Sequence, residues 1–132
     1  MDKEQLPAGL DSSLPTEGKL RIIQETVPGR QITLAHIIAG PDPIVYQKLG
    51  LDPALDYARA AIGILTMTPA ETAIIAGDLA TKTSSVDLGF IDRFSGTVII
   101  TGSVSNVEAA LRAITAYCRD TLQFTVCDIT RT

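Results

Sequence analysis

The stretch Val86-Asp87-Leu88-Gly89-Phe90-Ile91-Asp92-Arg93-Phe94-Ser95-Gly96-Thr97-Val98-Ile99-Ile100-Thr101-Gly102 decides how the rest of the chain is read. Two apolar runs, 86–91 and 97–101, flank Asp92–Gly96. β-branched and aromatic residues dominate both runs and a glycine sits in the connection, the pattern of a β-hairpin. The connector carries more than a tight turn requires: an Asp-Arg pair, an aromatic, then Ser-Gly. Two readings stand side by side. In one it is a solvent-exposed turn whose Asp92–Arg93 pair contributes about 0–1 kcal/mol. In the other it lies near a symmetry axis between identical subunits. Copies of Arg93 would then repel one another unless Asp92 pairs with them or an anion binds.

Working outward, helix signals flank the hairpin. Thr68-Pro69-Ala70-Glu71 reads as a capping Thr, a Pro at the first helical position and a Glu three residues after the cap. It predicts a helix to about Lys82 with Ala70, Ala73, Ile74, Gly77 and Leu79/Ala80 against a sheet. Ser105-Asn106-Val107-Glu108 repeats the signal and opens a helix whose Val107, Ala110, Leu111, Ile114, Tyr117 and Cys118 share one face. Ala61–Met67 is a nearly continuous apolar run, as expected of a central strand, and Leu122–Thr130 alternates as a closing strand. From residue 61 the order is therefore β-α-β-β-α-β. This predicts an α+β fold with a ferredoxin-like core, an antiparallel sheet with helices on one face.

Earlier in the chain, Gln31–Ala39 reads as a strand, and 44–49 and 53–60 as short helices broken at Gly50 and Pro53. Lys19–Val27 is a strand by composition, stopped by Pro28-Gly29. It stands alone, so its backbone donors and acceptors need a neighbour, and copies of itself could supply one. Residues 1–18, with Pro7, Gly9, Ser12, Ser13, Pro15 and Gly18, read as a tail before a single domain at 19–132.

Composition narrows the function. Of 132 residues, 45% are hydrophobic and only 20% charged, which suggests that spare apolar surface is covered by self-association. A net charge of −4 argues against a nucleic-acid partner or a basic membrane patch. No apolar run approaches the roughly 18 residues of a spanning helix. Cys118 and Cys127 are read as reduced and buried; without C-x-x-C spacing or other ligands nearby they do not suggest zinc. His36, the one histidine, sits in an apolar strand with no Cys, Asp or Glu within four residues, and is read as a core or interface residue. No phosphate-binding glycine loop and no nucleophile elbow is present. Nothing asks to be read as an enzyme, a cofactor site or a metal site. Asp78…Lys82 fits an i,i+4 pair with Lys82 suited to the helix C-terminus, or a lysine at the rim of a tile.

Taken together, Arg21-Ile-Ile-Gln-Glu25, Val27-Pro-Gly-Arg-Gln-Ile-Thr-Leu-Ala-His36, Ala61-Ile-Gly-Ile-Leu-Thr66, Gly77-Asp-Leu-Ala80, Gly89–Gly96 and Cys127-Asp-Ile-Thr130 resemble the circularly permuted bacterial microcompartment shell proteins (BMC domain) of the PduU and EutS types. The resemblance covers about residues 20–132 and leaves 1–18 outside. It implies a structural protein of the microcompartment shell in the cytoplasm: a flat homohexameric tile that packs beside other shell proteins, with encapsulated enzymes as further partners. It implies that Arg93, Phe94, Ser95 and Gly96 form the pore loop and that Asp78 and Lys82 lie on the edge between hexamers. Residues 19–30 would be a strand and turn, with Leu20, Ile22, Ile23, Gln24 and Glu25 in a barrel capping the pore. Either 31–50 or 122–130 would be the permuted segment. The EutS type has a Gly where Ala60 stands; Gly permits angles that Ala does not, so a flat rather than bent hexamer is expected. The alternative is a ferredoxin-like oligomer that senses a small anionic metabolite, with Arg93 as its anchor.

Overall fold

The structure, a computed structural model, describes residues 26–51 and 60–132. The residues 1–18, the greater part of the 19–27 strand, including Leu20, Ile22, Ile23, Gln24 and Glu25, and the helix expected at 53–60 up to residue 59 lie outside the described residues. Among those described, the elements run β1 (Gln31–Ala39), α1 (Pro43–Leu49), β2 (Ala61–Thr68), α2 (Thr72–Thr83), β3 (Asp87–Asp92), β4 (Thr97–Gly102), α3 (Val104–Asp120), β5 (Thr125–Val126) and β6 (Thr130–Arg131). This is the expected α+β fold. The strands form one six-stranded sheet in the order β3-β4-β2-β1-β5, with β6 also on β1. β1, β2, β4 and β3 pair antiparallel, whereas β5 and β6 run parallel to β1, so the sheet is mixed where an antiparallel one was expected.

β2 is apolar over most of its length because both of its faces are covered. Ala61, Leu65 and Met67 join Val98 and Ile100 of β4 under Ala73, Ala76 and Ala80 of α2 and Val107, Leu111 and Ile114 of α3. Ile62 and Ile99 point the other way, into a smaller cluster with Tyr46 of α1, Leu51 and Ala60. The helices α2 and α3 thus share one face, and the short α1 packs on the opposite one. Gly63 leaves no room for a side chain under α3: a Cβ there would meet Val107 Cγ1 at 2.7 Å and Ile100 Cγ1 of β4 at 2.9 Å. Asp42 caps α1 by accepting from the Ile44 N–H at 3.1 Å, Pro43 opens it, and left-handed Gly50 ends it.

Three expectations need correction. Thr68 does not cap α2: it still belongs to β2, paired with Gln31, so its backbone is extended. The helix instead enters through a tight turn in which the Thr72, Ala73 and Ile74 N–H groups donate to Pro69, Ala70 and Glu71 carbonyls. In α3 the cap is Ser103 rather than Ser105. Its hydroxyl accepts from the Asn106 N–H at 3.1 Å, and Glu108 pairs with Arg112 at 2.6 Å instead of closing a box. The closing strand is two short pieces. The segment pairs with β1 at Gln31–Ile32 and again at His36–Ile37, in one register but without strand pairing between them.

Candidate functional site

The hairpin forms as the sequence suggests, with Arg93–Gly96 as its turn. Asp92 organises the loop. Its Oδ1 accepts from the Phe94 N–H at 2.9 Å and its Oδ2 from the Ser95 hydroxyl at 2.8 Å, the behaviour of an aspartate at a turn entrance. These bonds, the Phe94 N–H foremost, hold the Asp92 carboxyl below its ordinary 3.8. The expected Asp92–Arg93 pair is therefore replaced by local hydrogen bonds. Arg93 lies instead over the Phe94 ring, 5.0 Å from its centroid. At the loop's end Gly96 has φ +76°, and a Cβ there would stand 2.1 Å from the Met67 carbonyl. The Met67 N–H donates to Gly96 O at 2.9 Å, so the loop is locked to the central strand.

Beside this loop lies an apolar edge. Phe94 is 82% exposed, and Ile74, Leu88, Phe90 and Ile91 are also exposed. Ile74 and Ile91 line a cleft with Arg93 and Phe94. Among the described residues the edge strand β3 pairs only with β4. The sequence pattern puts Ile74 against the sheet, but α2 buries Thr72, Ala73, Ala76, Gly77 and Ala80 and leaves Ile74 outside. Adjacent Ile74 and Ile75 sit about 100° apart on a helix of 3.6 residues per turn, which is the available signal that one face does not hold both. Tyr117 of α3 is likewise outside the core.

Asp78 and Lys82 are brought together as an ion pair at 2.9 Å, both well exposed. Lys82 follows Ile74 by about 12 Å along α2 at 1.5 Å per residue. The loop and the Asp78–Lys82 pair thus stand near opposite ends of one helix.

His36 is half-buried. Its Nδ1 is 2.6 Å from the Thr130 hydroxyl and its Nε2 2.9 Å from the Thr132 hydroxyl, so both ring nitrogens hold the C-terminal strand. An acid or thiol partner, which catalysis by His36 would need, does not occupy either position. Cys118 is buried and free, and burial pushes its thiol up to about 11. Cys127, expected to be buried, is only half-buried. Among the described residues no group of three or more His, Cys, Asp or Glu could hold a metal ion, and no helix is long and apolar enough to cross a membrane.

The fold and the edge define a ferredoxin-like α+β domain whose uncovered apolar strand suits assembly with other chains. The comparisons give the family. The BMC domain model matches residues 61–130. The chain is 54% identical over 112 residues to the bacterial microcompartment shell protein PduU of Salmonella typhimurium, covering 85% of this chain and 93% of that protein. It is 50% identical over 113 residues to the shell protein EutS of Escherichia coli, covering 86% and 97%. The solved structure "CutR flat hexamer, form 1" matches with TM-score 0.73 and 46% identity, over 85% of this chain and 99% of that one. The chain belongs to the BMC-domain bacterial microcompartment shell proteins and is a structural shell component, not an enzyme.

Proposed function

We propose that this chain closes into a flat six-fold ring and that such rings pack edge to edge into a shell layer with other shell proteins, around encapsulated enzymes. The observation that carries the reading is the apolar edge at Leu88, Phe90, Ile91 and Phe94 on a strand whose outer side is unpaired among the described residues. Such an edge invites pairing unless something covers it. A repeated head-to-tail contact that closes gives a ring. The flat hexamer of CutR supports six-fold closure, and Ala60, which keeps the chain within ordinary backbone angles, favours flatness.

In this ring Arg93, Phe94, Ser95 and Gly96 surround the axis. Asp92 is committed to its own loop, so the Arg93 guanidinium is shared with the Phe94 ring rather than with a carboxylate. Leu20, Ile22, Ile23, Gln24 and Glu25 close over the axis as a barrel of strands, which leaves none of them with a free edge. Lys82 and Asp78 lie at the rim, the far end of α2, and contact the next hexamer. The place of β1, between β2 and β5, supports circular permutation. An uninterrupted β-α-β-β-α-β chain would put its last strand beside β2, and here residues 31–39 stand there.

Negative-stain microscopy of the purified protein tests this reading. Hexagonal particles and sheets are expected. Dispersed particles of single 14.0 kDa subunits would overturn it.

A further inference from the structure

The two flanks of the sheet carry opposite charges at matching levels. On the β3 flank, Ile74 of α2 lines a cleft of about 410 Å³ with Ile91, Asp92, Arg93 and Phe94. On the flank of β5 and β6, an open groove of about 840 Å³ lies between α3 and residues 126–129, with Val126 and Ile129 as its apolar surface and Asp128 beside them. The arginines of this groove are matched within the subunit, Arg112 by Glu108 at 2.6 Å and Arg119 by Asp120 at 3.1 Å. Asp128 has no partner of opposite charge among the described residues, and neither has Arg93. The same holds for Asp87 at the start of β3 and Arg131 in β6. All four are exposed.

The sheet's register relates these groups. Asp92 pairs with Thr97, Thr97 with Thr66, and Thr66 with Leu34. Beyond β1, Gln31 faces Thr125 and His36 faces Thr130, one register that sets Leu34 level with Asp128. Ile91 is carried in the same way through Val98, Leu65 and Ala35 to the level of Ile129. Leu88 is carried through Ile100, Gly63 and Ile37 to Arg131. Arg93 therefore stands within one residue of the level of Asp128, and Asp87 within one residue of the level of Arg131. Between them the isoleucines Ile91 and Ile129 share a level.

A head-to-tail ring joins one flank of each copy to the other flank of the next. Rotation about the axis keeps every group at its own radius and height, so groups meet across the contact when the two flanks carry them at one level. We infer that, in the ring proposed above, on which this inference rests, Arg93 of each copy pairs with Asp128 of the next and Asp87 with Arg131. Ile91 packs toward Ile129 between the two pairs. Such complementarity fixes the register of a contact and rejects wrong ones. It also answers the repulsion among Arg93 copies close to an axis, because each meets a carboxylate from its neighbour.

Arg93→Glu and Asp128→Arg chains, purified separately and then mixed, test the pairing. Native mass spectrometry measures assembly, and circular dichroism confirms that each chain is folded. Either variant alone sets like charge against like at every contact, and its ring dissociates at a concentration at least about tenfold higher than that of the unchanged protein. In an equal mixture each altered flank finds an opposite charge, and rings of three and three copies form in alternation. If a single variant fails to fold, the Arg93→Glu/Asp128→Arg double variant serves, since its flanks are again complementary and it forms rings by itself. Rings of undiminished stability in both single variants overturn the pairing and leave the ring standing. Failure of both the mixture and the double variant to restore rings overturns the pairing as well. Single subunits of the unchanged protein overturn the ring itself.

Discussion

The Asp92 carboxylate accepts a hydrogen bond from the Ser95 hydroxyl at 2.8 Å and so faces back into its own loop. The turn is thereby self-supporting, and its two outward residues, Arg93 and Phe94, are left to meet whatever lies beyond the subunit.

This arrangement has a pH signature. The folded carboxyl titrates below its ordinary 3.8 because the Phe94 N–H and then the Ser95 hydroxyl stabilise the charged form. The loop's support is therefore complete above the unfolded value and is lost as pH falls through the lower, folded one. NMR titration of the Phe94 amide should show no change near neutrality and a midpoint under 3.8. Asp92→Ala should abolish the transition. A midpoint at or above the ordinary value contradicts the geometry.

Gly96→Ala should be strongly destabilising, by at least about 2 kcal/mol, because left-handed backbone and a carbonyl clash act together. Gly29 also has a left-handed φ, +82°, but a Cβ added there would meet nothing within 4 Å. Gly29→Ala should then cost only the backbone strain, about 1–2 kcal/mol. Denaturant melts of the two variants separate the contributions. Equal losses would mean that the Met67 carbonyl gives way freely.

Phe94→Asp tests the apolar edge. The ring is 82% exposed, so the subunit's own fold should change by no more than about 0.5 kcal/mol. The assembly should dissociate to smaller species in sedimentation velocity. An intact assembly would place Phe94 away from the contact.

Lys82→Ala should weaken sheet formation without unfolding the hexamer. Within the subunit the exposed Asp78–Lys82 pair is worth only about 0.3–0.5 kcal/mol, too little to disturb folding. Microscopy of the variant should show hexamers and few sheets. Sheets like those of the unchanged protein would remove Lys82 from the rim.

Burial of Cys118 predicts an alkaline weakness. Its thiol is raised from 9.0 to about 11, so the unfolded chain releases the proton first. Stability is full below 9.0 and falls as pH rises toward about 11. Denaturant melts across that window should show the decline, and Cys118→Ala should flatten it. A slope unchanged in the variant would assign the effect elsewhere.

Much of the fold was legible because periodicity reports burial. Val107, Ala110, Leu111, Ile114 and Cys118 recur at helical spacing and are all buried, and the apolar run 61–67 is the strand covered on both faces. Helix entrances were less legible. Ser and Thr near a helix start are interchangeable to the eye, but tertiary pairing decides which one caps: β2 holds Thr68 extended, and α3 begins early enough for Ser103. The alternation of 122–130 was visible, whereas its pairing with β1 in two short pieces depends on a strand some ninety residues away. At the loop, Asp92 and Arg93 stand out together, yet a turn-entrance aspartate satisfies nearby N–H groups before it reaches a flexible arginine. The groove beside Cys127 joins the outer face of a helix to the segment that folds back along it, a juxtaposition that only the folded chain provides.

The most direct test of the account is the mass of the assembled particle. Native mass spectrometry of the purified chain should give six copies of the 14.0 kDa subunit, and Phe94→Asp should lower that number. A stable particle of one 14.0 kDa subunit at the same concentration would contradict it.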